Sequence, residues 1–213
     1  MKKYQTYFTK HVKNKYPNGY VTIIQRTENH YNIISADTEF AKTSKNPIDR
    51  RLDFCAYFLA LIKTLDEDGE SFESIRAICL DITIEYVQPK NILHGYFKRL
   101  LPTLTNTWLG VLLINAFHNK VRVNNNPNGF IANIITDKQE TFGIGYGFDI
   151  IECGICKLFT KHNYAKYSSI LCEVDEITSG ISGLKLFRTG TIANGAEKCD
   201  FRFQRLSNNN TTI

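Results

Sequence analysis

Hydrophobic residues change their spacing once along this chain, and that change limits the folds open to it. Up to about residue 117 they recur every three or four positions, as in Ile48, Leu52, Cys55, Leu59 and Ile62, then Phe72, Ile75, Cys79, Ile82 and Tyr86. That is the period of one face of an α-helix. From Phe130 onward they alternate with polar residues, the period of a half-buried strand. A cluster of turn formers, Asn124-Asn125-Asn126-Pro127-Asn128-Gly129, separates the two regimes. The expected fold is α+β: a helical N-terminal half followed by an antiparallel sheet of about four strands with two inserted helices.

The helical half divides at its breakers. Asn46-Pro47 reads as a cap followed by proline at the first helical position, and Asp66-Glu67-Asp68-Gly69 ends that helix. The next stops at Pro89, and residues 91–101 and 105–117 read as two more, divided by Pro102. Ahead of them, residues 1–43 mix a basic helical stretch with two β-like runs, 20–24 and 31–34. In the second half, residues 130–136 and 145–152 form a hairpin, and residues 155–162 and 167–178 are the inserted helices. The glycines of Gly143-Ile144-Gly145-Tyr146-Gly147 lack the spacing and the following Lys-Ser/Thr of a phosphate loop, so they read as a bulge or a close backbone approach.

Length and charge narrow the function classes. With 213 residues the chain can build one sizeable core, expected as a single domain over residues 1–206 with a disordered polar tail at 207–213. The net charge of +5 is concentrated at the start, where Lys2, Lys3, Lys10, Lys13, Lys15 and Arg26 face only Glu28 within the first thirty residues. The remainder is formally neutral, which argues against a nucleic-acid stripe. The most apolar window, residues 108–117, is too short for a membrane span, is interrupted by Asn115, and reads as a buried core helix. No apolar leader follows Met1-Lys2-Lys3, so a cytoplasmic location is expected. Six cysteines there point to thiols, thiolate chemistry or metal rather than a disulfide framework.

The last hairpin holds the least ordinary pairing. Leu184, Leu186, Arg188, Gly190 and Ile192 alternate with polar or outward positions, as do Cys199, Phe201 and Phe203, and Asn194-Gly195 is a strong two-residue turn signal. That turn sets Arg188 opposite Phe201, Gly190 opposite Cys199 and Thr189 opposite Asp200. Arg188 and Cys199 then lie diagonally on the apolar face. A guanidinium there needs a carboxylate, from the protein or from a ligand.

Four cysteines follow residue 150. Cys153-Gly154-Ile155-Cys156 leaves a strand and enters a helix, where the dipole and free amides lower a thiol pKa. Cys172 and Asp175, three apart on the next helix, share a face. Asp175 is then either a general base or the partner of Arg188. Plain buried thiols, a reactive thiolate and a zinc-thiolate site all remain open. The five histidines have no ligand spacing, and His94 and His118 beside apolar helices read as polar boundary residues.

Cys153, then Leu171-Cys172-Glu173-Val174-Asp175, then Arg188-Thr189-Gly190-Thr191-Ile192-Ala193-Asn194-Gly195, closing with Cys199-Asp200-Phe201-Arg202-Phe203, resembles the L-2-amino-thiazoline-4-carboxylic acid hydrolase family over residues 147–205. The resemblance implies hydrolytic opening of a C=N bond in a small, carboxylate-bearing cyclic amidine. It marks Cys153, Cys172, Asp175 and Cys199 for catalysis, and Arg188, Thr191 and Asp200 for the substrate. Cys156 is an addition to the pattern with no assumed role. No cofactor is expected, with zinc as the alternative. The partner is a small-molecule carboxylate, neither nucleic acid nor membrane, and pairing with a second copy of the chain is left open. The terminal Gly-x-x-x-Cys-x-Phe pattern also looks distantly like that of small-molecule-binding domains named after vinyl reductase, a non-catalytic alternative.

Overall fold

The central helix is apolar all round and is buried all round, as such a helix must be. In the computed structural model, which describes residues 4–91, 107–122 and 126–206, this is α3 (Leu52–Glu67), and Ala56 through Ile62 have no exposure on any face. Around it pack α1 (Gln5–Lys15), α2 (Tyr20–Ile34) and α4 (Phe72–Val87). Aromatic rings fill the space near the start of α3, and their polar tips reach carboxylates at the rim: Tyr57 Oη donates to Glu28 at 2.6 Å and Tyr31 Oη to Asp53 at 2.6 Å. Cys55 and Cys79 are buried in this helical core, as their spacing indicates, and burial raises both thiol pKa values. Gly69, at φ +82°, ends α3: its N–H bonds the Asp66 carbonyl and that of Glu70 bonds Leu65, the paired closure of a Schellman motif.

Two expectations for the helical half are corrected here. The β-like runs 20–24 and 31–34 both lie within α2, where Ile23, Thr27, Tyr31 and Ile34 form a buried stripe at helical spacing. Windows of four or five β-branched and aromatic residues record local propensity, and burial against α3 overrides it. Residues 108–117 are indeed helical, within α5 (Trp108–Val121), but not buried: Trp108 is 76% exposed and Leu113 61%. One stripe, through Ile114 and Val121, packs on the sheet. His118 serves that contact, its Nδ1 accepting the N–H of Ile134 at 3.3 Å. Residues 92–106, with His94 and most of the expected 91–101 helix, and the 207–213 tail lie outside the described residues.

The second half is an antiparallel sheet. β1 (Ile131–Ile135), β2 (Gly147–Glu152), β3 (Leu184–Phe187) and β4 (Cys199–Arg205) stand in the order β1-β2-β4-β3, giving the α+β class. Between β2 and β3 run the two inserted helices, α6 (Gly154–Lys161) and α7 (Ser168–Ile181). Ala132, Ile134, Ile150, Cys199, Phe201 and Phe203 form a second core on the inner sheet face, with Phe148 and Phe201 stacked at 4.3 Å. Gly147 marks a close backbone approach, since a Cβ there would sit 2.8 Å from the Phe201 carbonyl oxygen. Thr141 Oγ1 accepts the amide of Gly145, one of two glycines at positive φ in this loop.

A polar latch joins the two cores. Asp49, only 2% exposed, accepts the Phe130 N–H at 2.8 Å, and Asn46 Nδ2 donates to the Phe130 carbonyl at 2.9 Å. Asn46 Oδ1 does accept the Ile48 amide, but the segment it opens is a 3-10 turn, Asp49–Arg51, that leads into α3. The mouth of β1 is thereby fixed beside the start of α3.

The last hairpin keeps its expected register over Leu184–Phe187 against Arg202–Arg205. Its turn differs. The Asp200 carboxylate accepts the amides of Thr189 at 2.9 Å and Gly190 at 3.2 Å, with the Thr189 hydroxyl at 2.8 Å. Those amides are lost to the ladder, so β3 stops at Phe187 and the chain closes through a 3-10 turn, Ile192–Asn194, with Gly195 at φ +86°. Gly190 therefore does not pair with Cys199; the Ile192 amide donates to Cys199 Sγ at 3.2 Å instead.

Candidate functional site

The two cores meet at a cavity of about 110 Å³, several times the roughly 10–15 Å³ that admits one water. Phe148, Ile155, Leu171 and Phe201 give it apolar walls, and Arg51 and Asp175 supply charge. Four thiols line it: Cys153 from the end of β2, Cys156 from α6, Cys172 from α7 and Cys199 from β4. All six cysteines of the chain are free thiols. Among the described residues no cluster of histidine, cysteine and carboxylate side chains is arranged to hold a metal ion.

The first turn of α6 separates the two nearest thiols electrostatically. Cys153 is the N-cap, and its Sγ accepts the Cys156 N–H at 3.5 Å. A hydrogen bond from the Cys153 thiol, aided by Ser168 and by the backbone amide of Cys156, pulls the Cys156 pKa below its ordinary value despite partial burial. Cys153 moves the other way, first through that same hydrogen bond and then through burial. Cys153 therefore keeps its proton while Cys156 gives its own up more readily. Burial pushes Cys172 up to about 12, with the charge of Asp175 adding to it. Cys199 is raised too, burial outweighing the donated amide of Ile192. Both feel the charges of Cys156 and Asp175.

Asp175 faces the cavity one turn along α7 from Cys172, as their spacing requires. Burial lifts its carboxyl from the ordinary 3.8 to about 6, against the opposing charges of Arg51 and Arg188. Arg188 is the expected arginine on the apolar face, with its guanidinium 5.2 Å over the Phe201 ring. Its carboxylate comes from the protein: Asp175 Oδ2 at 3.3 Å, with Glu176 at 3.6 Å and the Cys172 carbonyl accepting from it at 3.0 Å. The Arg188 side chain is 10% exposed and does not line the cavity.

Arg51 is differently placed. Its side chain is 65% exposed, lines the cavity, and stands 4.0 Å from Asp175 Oδ1 without a hydrogen bond. Nothing in the local sequence marks Arg51, because the latch at Asp49 and the 3-10 turn bring it there. Cys156 did carry a sequence signal, since a Cys-x-x-Cys at a strand-to-helix junction puts its second thiol in the first helical turn. Asp200 and Thr191 lie outside the cavity lining. Asp200 braces the 189–190 loop, and Thr191 is buried with no hydrogen-bond partner for its hydroxyl.

A family profile described as L-2-amino-thiazoline-4-carboxylic acid hydrolase matches residues 56–203, from the second turn of α3 into β4. No curated protein and no solved structure gives a match. The matched segment takes in the cavity-lining cysteines, Asp175 and Arg188, and exceeds two thirds of the chain, so the chain belongs to the L-2-amino-thiazoline-4-carboxylic acid hydrolase family.

Proposed function

We propose that this protein hydrolyses a C–N bond of a small cyclic amidine that carries a carboxylate, with Cys156 as the nucleophile. The observation that carries the reading is the convergence, on one largely apolar cavity, of four thiols, Asp175 and an arginine whose side chain has no hydrogen-bonded partner among the described residues. Six free thiols suit a reducing compartment, in keeping with a cytoplasmic enzyme.

Arg51 anchors the substrate carboxylate, since its planar fork matches two carboxylate oxygens and, among the described residues, its only ionic neighbour is the distant Asp175. Arg188 serves as a positioning residue that holds Asp175 on the cavity wall. The Cys156 thiolate adds to the amidine carbon, and the C=N electron pair moves onto nitrogen, which takes a proton from Asp175. As the C–N bond breaks, the other amidine nitrogen re-forms a C=N bond and passes its proton to the departing amine. Water then adds across that C=N bond, and as the carbonyl forms the hydroxyl proton goes to the Asp175 carboxylate and the S–C bond breaks to restore the thiolate. A carboxyl with a pKa of about 6 can both give and take that proton near neutrality. Cys172 and Cys199, held protonated by burial, line the same cavity.

The experiment follows 2-amino-thiazoline-4-carboxylate consumption by chromatography for the wild type and Arg51→Met. A lost charge-assisted hydrogen bond is worth about 1.5–3 kcal/mol, so KM should rise roughly 10- to 100-fold with kcat largely retained. An unchanged KM would remove Arg51 from the site, and binding without consumption would refute hydrolysis.

A further inference from the structure

The cysteines of α6 face two spaces. Besides lining the inner cavity, Cys153 and Cys156 line an open groove of about 560 Å³ on the other side, with Ile151, Lys157, Ile192 and Glu197. Hydrolysis of a ligand in the inner cavity makes no use of that opening. The groove gives a small reagent access to the half-buried Cys156, with the buried Cys153 beside it, without passage through the inner cavity. Its charged residues are two lysines, Lys157 and Lys161, and two carboxylates, Glu152 and Glu197. Lys157 is bound to Glu152 and Lys161 to Asp37, so the groove offers no excess charge to select an ion.

We propose that Cys153 and Cys156 are a redox-active dithiol, oxidised through this groove by low-molecular-weight disulfides to an intramolecular disulfide. The thiols are adjacent because of the cap, not merely because of the sequence spacing. Residues three apart inside a helix hold their Cβ atoms about 5–6 Å apart, beyond the ~3.5–4.5 Å of a disulfide. As N-cap, Cys153 instead has an extended backbone, and its side chain folds back over the first turn until Sγ meets the Cys156 amide. The exchange follows from the division of roles within the pair. Cys156, the readier thiolate, attacks one sulfur of a disulfide RS–SR, forming a Cys156–S–S–R bond and releasing RS⁻. Cys153 then gives its proton to solvent and attacks Cys156 Sγ, and the second arm leaves as RS⁻. Each cysteine has lost one electron and one proton, and the reagent has been reduced to two thiols. Where Cys156 is also the hydrolytic nucleophile, which rests on the function proposed above, ring closure stops turnover.

The test reads mass rather than activity, so it stands whether or not the protein hydrolyses anything. Native protein is incubated with hydroxyethyl disulfide, and in parallel with oxidised glutathione, then quenched, alkylated and digested with trypsin. Cys153 and Cys156 share the peptide between Lys138 and Lys157, whereas Cys55, Cys79, Cys172 and Cys199 fall on four others. The shared peptide should become lighter by its two thiol hydrogens and carry no reagent arm, while the other four cysteines remain open to alkylation. Both reagents should act, because the groove has no net charge to discriminate between them. Cys153→Ser, which keeps a good cap, should trap the reagent arm on Cys156. Modification of Cys172 or Cys199 with the Cys153–Cys156 peptide still fully alkylated would overturn the proposal, as would a Cys153→Ser variant with no arm on Cys156.

Discussion

The carboxyl of Asp175 makes the stability of this fold depend on pH in a direction opposite to most acids. Burial raises it from the ordinary 3.8 to about 6, although Arg188 is in contact and Arg51 is near. Between pH 4 and pH 6 the unfolded chain has released this proton while the folded protein still holds it. Raising the pH through that window therefore favours unfolding. The contribution is fully present below the unfolded value and is lost as pH rises through the folded one. Two pH units at roughly 1.4 kcal/mol each give about 3 kcal/mol. Asp37, Glu85 and Asp200 carry lowered values, so their contributions are lost as pH falls through those lower values. The buried thiols and tyrosines with raised values act above pH 8. Asp175→Asn keeps an oxygen for Arg188 and removes the titration. Urea unfolding of wild type and variant at pH 4.5 and pH 7 should show the variant gaining on the wild type by about 2 kcal/mol at the higher pH. Parallel pH dependences in the two proteins would refute burial of this carboxylate.

Two further substitutions probe the frame of the cavity. Gly147→Ala would drive a Cβ to 2.8 Å from the Phe201 carbonyl oxygen and 3.2 Å from Thr141 Cγ2; thermal unfolding should report a loss of about 1–3 kcal/mol, and an unchanged Tm would contradict the close strand approach. Asp200→Ala removes the acceptor for two amides and one hydroxyl of the 189–190 loop, which should cost about 1–3 kcal/mol and speed amide exchange at Thr189 and Gly190, whereas slow exchange in the variant would show that the carboxylate does not brace the loop.

The legible parts of the chain were those where one physical rule dominated. Helical spacing located α3 and α4 because each buries a stripe along its length, the two helices between β2 and β3 stand where they are expected, and alternation located all four strands. The hairpin register came out correctly at Leu184–Phe187, and Arg188 does lie over Phe201. Its closure did not, because Asp200 competes for backbone amides, and a side chain acting eleven residues away leaves no local turn signature. α2 departs in part from the sequence pattern, since Tyr20-Val21-Thr22-Ile23-Ile24 resembles a strand until the buried positions Thr27, Tyr31 and Ile34 extend its period. The apolar run at the start of α5 failed differently: composition says what a helix could bury, not what stands beside it. At the site, the shared face of Cys172 and Asp175 followed from spacing alone. The separate positions of Arg188 and Arg51 did not, because they depend on how α7 and the Asp49 latch meet in space.

Whether Cys156 is the attacking group is read from a mass map of protein quenched during turnover of the cyclic amidine carboxylate. A substrate-derived adduct is expected on the peptide between Lys138 and Lys157, located on Cys156 by fragmentation and absent from Cys156→Ser, which should not turn over. An adduct on Cys172 or Cys199, or full turnover by Cys156→Ser, would contradict that role.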